Sequence, residues 1–446
     1  MKRLEGYRGF ILERLRKINV EIGDEIVIEK NDEIIEGILM PRSMLGDDKH
    51  VVIKLRNGYN VGVKIESETI IRLKKKRKIK VERKIESIKK KALPKIAIIG
   101  TGGTIASRVD YKTGAVYPAL TPEDLYAFVP EIEGIATIDT ETLFNIFSED
   151  MTPQHWTRIA EKIAEKIEEE YKGIIIPHGT DTMAYTAAAL SFALQRTPIP
   201  IVLVGAQRSS DRPSSDAAIN LICSTHVAAK APFAEVVVVM HGSSSDEYCL
   251  VHRGTKVRKC HTSRRDAFQS INAKPLAIVK PNGKIEMLME KYSPRREDRE
   301  YELKAKFDSK VALLKMYPGI REDLIETLID RGYHGIVIEG TGLGHAPSRL
   351  LKTIRRAIEE EIPIVMTSQC IWGRINMNVY RTGVELLNAG VIPGEDMLPE
   401  TATVKLMWIL AQTRDLKEVR ELMLTNIAGE INPRTTHGTY LKSWIR

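Results

Sequence analysis

The sequence predicts an α/β protein: two domains of parallel sheets with flanking helices, preceded by a small N-terminal β-barrel. Three observations predict it. Short continuous apolar runs at 96–99, 173–177, 199–205, 234–241 and 334–339 alternate with helical stretches, the rhythm of a parallel sheet covered on both faces. Ahead of them, about 55 residues alternate polar and apolar in five short pieces, as small barrels do. Between the apolar runs, 293–306 is charge-dense with no apolar period, and it divides the alternating part in two.

In order, residues 1–19 carry Leu and Ile at helical spacing among Lys and Arg, which predicts a short amphipathic helix. Five strands follow at 24–28, 34–40, 50–54, 60–65 and 69–73. Gly23, Asn31-Asp32, Gly46-Asp47-Asp48 and Asn57-Gly58 supply their turns. Residues 72–91 hold twelve Lys/Arg against two Glu, a local +10, so the net charge of +8 leaves the rest of the chain at −2. The basicity therefore belongs to one segment. It reads as an extended linker, with a phosphate-binding patch as the alternative; no aromatics are interleaved to stack bases.

The first α/β unit places helices at 182–194 and 216–230 and a hairpin at 275–289 around Asn282-Gly283. The second unit runs strand 310–317, helix 321–331, strand 334–339, helix 348–361, strand 363–367 and helices 401–412 and 416–424. Gly340-Thr341-Gly342-Leu343-Gly344 reads as a tight turn. The divisions are 1–73 barrel, 74–94 basic linker, 95–292 first α/β domain, 293–308 interdomain linker, and 309–446 second α/β domain with a C-terminal tail.

The chain of 446 residues is 43% hydrophobic and 28% charged, the balance of a soluble globular protein. No run of about 18 apolar residues is present, so no membrane span is expected. The start lacks the apolar core of a signal peptide, and Cys223, Cys249, Cys260 and Cys370 form no C-x-x-C pair. A reducing, cytoplasmic setting is expected. His178, His241, His252, His261 and His345 have neither i, i+4 nor finger spacing, so no metal site is expected.

Chemistry concentrates where strands end in Gly/Thr loops. Strand 96–99 runs into Gly100-Thr101-Gly102-Gly103-Thr104, and strand 174–176 into Pro177-His178-Gly179-Thr180-Asp181-Thr182. Such loops lie at the carboxyl edge of the sheet, where open α/β folds hold ligands. A phosphate cradle is disfavoured, because neither G-x-x-x-x-G-K-[ST] nor G-x-G-x-x-G is satisfied. A Thr nucleophile beside backbone N–H donors is the chemical alternative to plain turns and helix caps. A hydroxyl needs a base, and the segment 258–263 offers Lys259 and His261. Spacing does not choose between them.

TGGTIA at 101–106 together with HGTDTM at 178–183 resembles the paired signatures of the L-asparaginase/glutaminase family with Thr catalysis. The likeness continues through 204–208, 259–270 and 368–370, and covers about 95–425. It implies an asparaginase-like core with Thr104 as attacking hydroxyl and Tyr117, on the segment 107–120, as its lid partner. Thr180, Asp181 and Lys259 match the second catalytic set. Ser148 and Glu149 match positions that hold the substrate's α-carboxylate and α-amine, with Asp181 gripping the ammonium. Many family members have Gln where this chain has Glu149. The order in which the threonines act, and Gln against Asn as substrate, stay open. Aspartate and glutamate products differ by one methylene, worth only about 1–3 kcal/mol of discrimination.

The barrel ahead of this core resembles the arrangement in amidase subunits of archaeal tRNA-dependent amidotransferases. That likeness implies a homodimer of this chain within a heterotetramer. A tRNA-binding, ATP-using partner subunit would receive the ammonia, with ATP and Mg on the partner and no cofactor in this chain. The 430–446 tail carries Tyr440 and Trp444, which suit docking on a partner or packing on the chain's own domain. A stand-alone cytoplasmic L-asparaginase is the alternative, and an RNA-binding scaffold with an inactive asparaginase fold the third reading.

Overall fold

The computed structural model describes the chain apart from residues 1–3, 5, 32, 43–46, 56–59, 77–92, 103–106, 110–115, 119–128, 209–214, 297 and 441–446. Most of the basic segment, Thr104 and Trp444 thus lie outside the described residues.

The N-terminal unit has a helix, α1 (Gly9–Lys17), and five strands: β1 (Glu25–Lys30), β2 (Glu33–Leu39), β3 (His50–Lys54), β4 (Asn60–Lys64) and β5 (Ile70–Lys75). All five fall where the alternation predicts strands. They form an antiparallel sheet in the order β4-β3-β2-β1-β5. Period-two alternation turns Ile26, Ile28, Ile53, Val63 and Ile71 inward, onto Ile11 and Leu15 of α1. Among the described residues β4 and β5 are the two edges, and no pairing between them closes the sheet into the expected barrel. Alternation fixes which face is buried but carries no information on whether end strands meet.

The first α/β unit is built on eight strands. The strands of this region are β6 (Lys95–Gly100), the small pair β7 (Ser107–Val109) and β8 (Val116–Pro118), β9 (Thr137–Thr142), β10 (Gly173–Pro177), β11 (Leu194–Gln195), β12 (Ile201–Val204), β13 (Val236–His241) and β14 (Cys249–Arg253). They continue with β15 (Val257–Lys259), β16 (Phe268–Ser270), β17 (Ala277–Val279) and β18 (Ile285–Met287). The large sheet runs β18-β17-β14-β13-β12-β10-β6-β9, parallel from β9 to β13 and antiparallel beyond. The predicted hairpin is the β17–β18 pair.

Helix α2 (Pro153–Glu168) precedes β10, and α3 (Met183–Ala193) and α4 (Ala217–Lys230) follow β10 and β12. α3 has no polar face because it has no solvent face. Its Ala184, Ala187 and Leu190 pack on the first sheet with Ile174 and Val238. Its Ala188, Ala189 and Phe192 join Val337, Val365 and Trp408 of the second unit. Phe192 and Trp408 stack with centroids 6.0 Å apart.

The second unit is a four-stranded parallel sheet, β20 (Val311–Lys315), β21 (Gly335–Gly340), β22 (Ile364–Ser368) and β23 (Ile392–Pro393). Helices α5 (Asp323–Asp330), α6 (Leu351–Glu359), α7 (Arg381–Asn388), α8 (Pro399–Leu410) and α9 (Leu416–Leu424) flank it. The connection predicted as featureless contributes β19 (Glu302–Leu303), which pairs with β11, and Lys304 O accepts from Trp408 Nε1 at 2.9 Å. Two-residue strands are too short to show a period. The sequence reading also passes over β9, α2 and α7. β9 is a largely polar edge strand. α2, by contrast, had a legible start in Thr152-Pro153 and an apolar face at 156, 159, 160, 163 and 164. Among the described residues, no helix is long and apolar enough to cross a membrane.

Candidate active site

Strands β6, β9, β10 and β12 run parallel, so their carboxyl ends open on one edge. The loops leaving them are pressed together at positions without side chains. Gly102 has φ +105°, and a Cβ there would stand 2.3 Å from Ile146 O. A Cβ on Gly179 would stand 2.7 Å from Ser148 Cβ, and one on Gly205 2.8 Å from Thr180 Cγ2. Hydroxyls tie the same loops: Thr101 Oγ1 donates to Pro177 O at 2.8 Å, and Thr182 Oγ1 to Ser148 O at 2.6 Å.

Within this junction Lys259 Nζ donates to Thr180 Oγ1 at 2.9 Å and to Asp181 Oδ1 at 2.7 Å. Thr180 is buried, while Asp181 is 69% exposed and so faces solvent or a ligand. Thr180 and Asp181 lie just ahead of α3, and Lys259 reaches them from β15, 78 residues further on. A hydroxyl held this close to an amine is within proton-transfer reach. Of the two candidate bases, Lys259 lies beside Thr180 and His261 does not. His261 Nδ1 accepts from the backbone N–H of Ser263 and Arg264 at 3.0 and 3.1 Å, turned into its own exposed loop.

The sequence-predicted residues divide as follows. Thr180, Asp181 and Lys259 are brought together. Ser148 is buried against Gly179, on the turn Ser148–Asp150 that also carries the exposed Glu149. Tyr117 lies on β8, opposite Arg108 of β7. Thr104 lies outside the described residues; the loop leading to it begins at Thr101, bonded to the Pro177 carbonyl beside Thr180.

One polar chain was not read from the sequence. Trp156 Nε1 donates to Thr186 Oγ1 at 3.0 Å, whose hydroxyl meets His178 Nε2 at 2.9 Å, and His178 Nδ1 meets Gly179 O at 2.7 Å. With a neutral imidazole one assignment satisfies all three contacts: Thr186 donates to Nε2, and Nδ1–H donates to the carbonyl. His178 is fully buried, and burial lowers its pKa to about 4, so it stays neutral and clamps the loop carrying Thr180.

Comparison with known proteins places these features in a family. Residues 95–293 match Asparaginase, N-terminal; 310–423 match the Glutaminase/Asparaginase C-terminal domain; and 20–73 match the GatD N-terminal domain. The GatD-type subunit of glutamyl-tRNA(Gln) amidotransferase from Pyrococcus horikoshii is 57% identical over 438 residues, covering 96% of this chain and 99% of that protein. Its counterpart from Metallosphaera sedula is 52% identical over 432 residues, covering 97% of each. Among solved structures, the thermostable L-asparaginase from Thermococcus kodakarensis superposes with a TM-score of 0.68 at 36% identity, covering 76% of this chain and 100% of that one. L-asparaginase I from Vibrio cholerae gives 0.67 and 31% with the same coverage. With near-complete relatives above half identity and all three regions matched in order, this chain belongs to the GatD family of glutamyl-tRNA(Gln) amidotransferase subunits, whose core is of the asparaginase type.

Proposed function

We propose that this chain is the amidase subunit of a tRNA-dependent amidotransferase: it hydrolyses the side-chain amide of glutamine or asparagine and delivers ammonia to a partner subunit. The partner binds tRNA and uses ATP with Mg to convert Glu-tRNA(Gln) to Gln-tRNA(Gln). The observation that carries this reading is the Lys259 amine spanning the Thr180 hydroxyl and the Asp181 carboxylate. A lone carboxylate–lysine pair is an ordinary surface feature; a buried threonine hydroxyl in the same grip is a place to move a proton.

The steps assigned to this chain need only side chains and backbone. Thr104 Oγ attacks the amide carbon, its proton is relayed to the departing amide nitrogen, and backbone N–H groups of the Gly/Thr loop steady the oxyanion. The C–N bond breaks as ammonia takes up that proton, leaving a Thr ester. Water, deprotonated through Thr180 and Lys259, cleaves the ester and releases glutamate or aspartate. Asp181 and Glu149 hold the substrate ammonium, and Ser148 its α-carboxylate. Glu149, as an acid, strengthens the grip on a cation.

The test is ammonia release by the purified chain, alone and with the co-purified partner, Glu-tRNA and ATP. Low activity alone, raised by the partner and Glu-tRNA, is expected. Strong turnover indifferent to both supports a stand-alone L-asparaginase. The complete coverage of an L-asparaginase chain by this core is what favours that second reading.

A further inference from the structure

We propose that Arg258 and Glu400 form a positioning pair through which the second α/β unit sets the reach of Lys259. The inference rests on the amidase reading of Thr180, Asp181 and Lys259. β15 is three residues long and pairs only with the equally short β16 among the described residues. So small a ribbon does not hold a long lysine stem still by itself. Neighbouring side chains on a strand leave by opposite faces. Lys259 therefore points to Thr180 and Asp181, while Arg258 points away from them, toward α8. There Arg258 Nε lies 3.2 Å from Glu400 Oε1, in the first turn of that helix.

The segment before Lys259 is tied to the second unit at successive residues. Thr255 O accepts from Thr401 Oγ1 at 2.9 Å. Lys256 Nζ, nearly fully buried, pairs with Asp396 Oδ2 at 2.8 Å. Arg258–Glu400 is the last of these ties before the catalytic amine.

The Glu400 carboxyl is also unusual in its surroundings. Its side chain is only 12% exposed, and Oε2 is buried without a hydrogen-bond partner. Burial raises its pKa and Glu339 at the end of β21 adds to that, while Arg258 and Lys315 oppose it; Tyr185 of α3 shares the same electrostatic neighbourhood. Such a carboxylate leans chiefly on one guanidinium to remain an anion. A residue that merely filled this space would cost the fold less.

The experiment compares Arg258→Leu, Arg258→Lys and Glu400→Gln with wild type, in the complex with the partner subunit. Ammonia release gives kcat and KM, thermal unfolding gives Tm, and amine-reactive footprinting with mass spectrometry gives the accessibility of Lys259. Expected for Arg258→Leu and Glu400→Gln is a kcat loss of about tenfold to a hundredfold with KM within about twofold, the signature of a displaced catalytic group. Lys259 labelling is expected to rise, and Arg258→Lys to recover part of kcat. Unchanged labelling, or a kcat loss that only tracks the unfolded fraction, overturns the proposal. If wild type releases no ammonia, the amidase reading fails instead, and the footprint alone decides the pair.

Discussion

At the scale of single residues, the proposed chemistry rests on a lysine with two partners. Lys259→Met removes the group that touches both Thr180 and Asp181, and Thr180→Val removes the hydroxyl while keeping its shape. Each is expected to lower glutamine or asparagine hydrolysis by at least about a hundredfold, the usual worth of a positioned proton-transfer group. Steady-state ammonia assays check this; wild-type kcat in either variant contradicts it. Thr180 and Asp181 were legible because both sit in the contiguous run 178–183, and Lys259 as one of two candidate bases in 258–263. The Trp156–Thr186–His178 chain was not, because its members lie 30 and 8 positions apart and meet only after the helices pack.

Two buried histidines give the fold a pH dependence whose sign is fixed. Burial lowers His178 to about 4 and His252 to about 3, against 6.5 for the free imidazole. The unfolded chain therefore binds protons that the folded chain refuses once the pH falls below 6.5. Stability from these groups is complete above that pH and declines toward pH 4. Denaturant titrations at pH 7.5 and pH 5 are expected to show the loss, and His252→Gln to remove part of the slope. Stability that rises on acidification over this range is the opposite outcome.

At the scale of elements, the active edge is shaped by loops without side chains and by a helix without a polar face. Gly179→Ala drives a methyl group into Ser148, at a Cβ distance of 2.7 Å. The substitution is expected to cost about 1–3 kcal/mol and to weaken substrate binding at the Ser148 turn. KM together with a denaturation midpoint tests this; an Ala variant with wild-type values for both contradicts it. α3 was predicted from its apolar run, but its role was not. A run such as that of 183–193 reads the same whether it lies under one sheet or between two. The five N-terminal strands were legible for the converse reason: alternation marks a sheet with one wet face. Whether its edges close is a tertiary matter, and among the described residues they do not.

At the scale of the whole molecule, buried ion pairs hold the C-terminal segment and the two α/β units together. Lys405 of α8 meets Glu430 at 2.6 Å with both side chains fully buried, and Asp396 gathers Lys256 and the Asn432 amide. Lys405→Met strands a buried carboxylate and is expected to cost about 3–5 kcal/mol, whereas adding Glu430→Gln returns much of it. Thermal unfolding of the two variants checks this, and a double variant no better than the single contradicts it. Tyr440 ends the described tail with its ring edge-on to Trp372, centroids 6.0 Å apart, while staying 57% exposed. It therefore packs on the chain's own second unit while much of the side chain stays exposed.

The central claim is that Lys259, Thr180 and Asp181, gathered where the first sheet's strands run out, serve a threonine-dependent hydrolysis of a carboxamide whose nitrogen passes to a partner. The most direct measurement is ammonia release from glutamine by the assembled complex carrying wild-type chain, Lys259→Met or Asp181→Asn, with and without Glu-tRNA. The expected result is tRNA-stimulated release by wild type and at least about a hundredfold loss in both variants. Equal release by wild type and Lys259→Met would contradict the account.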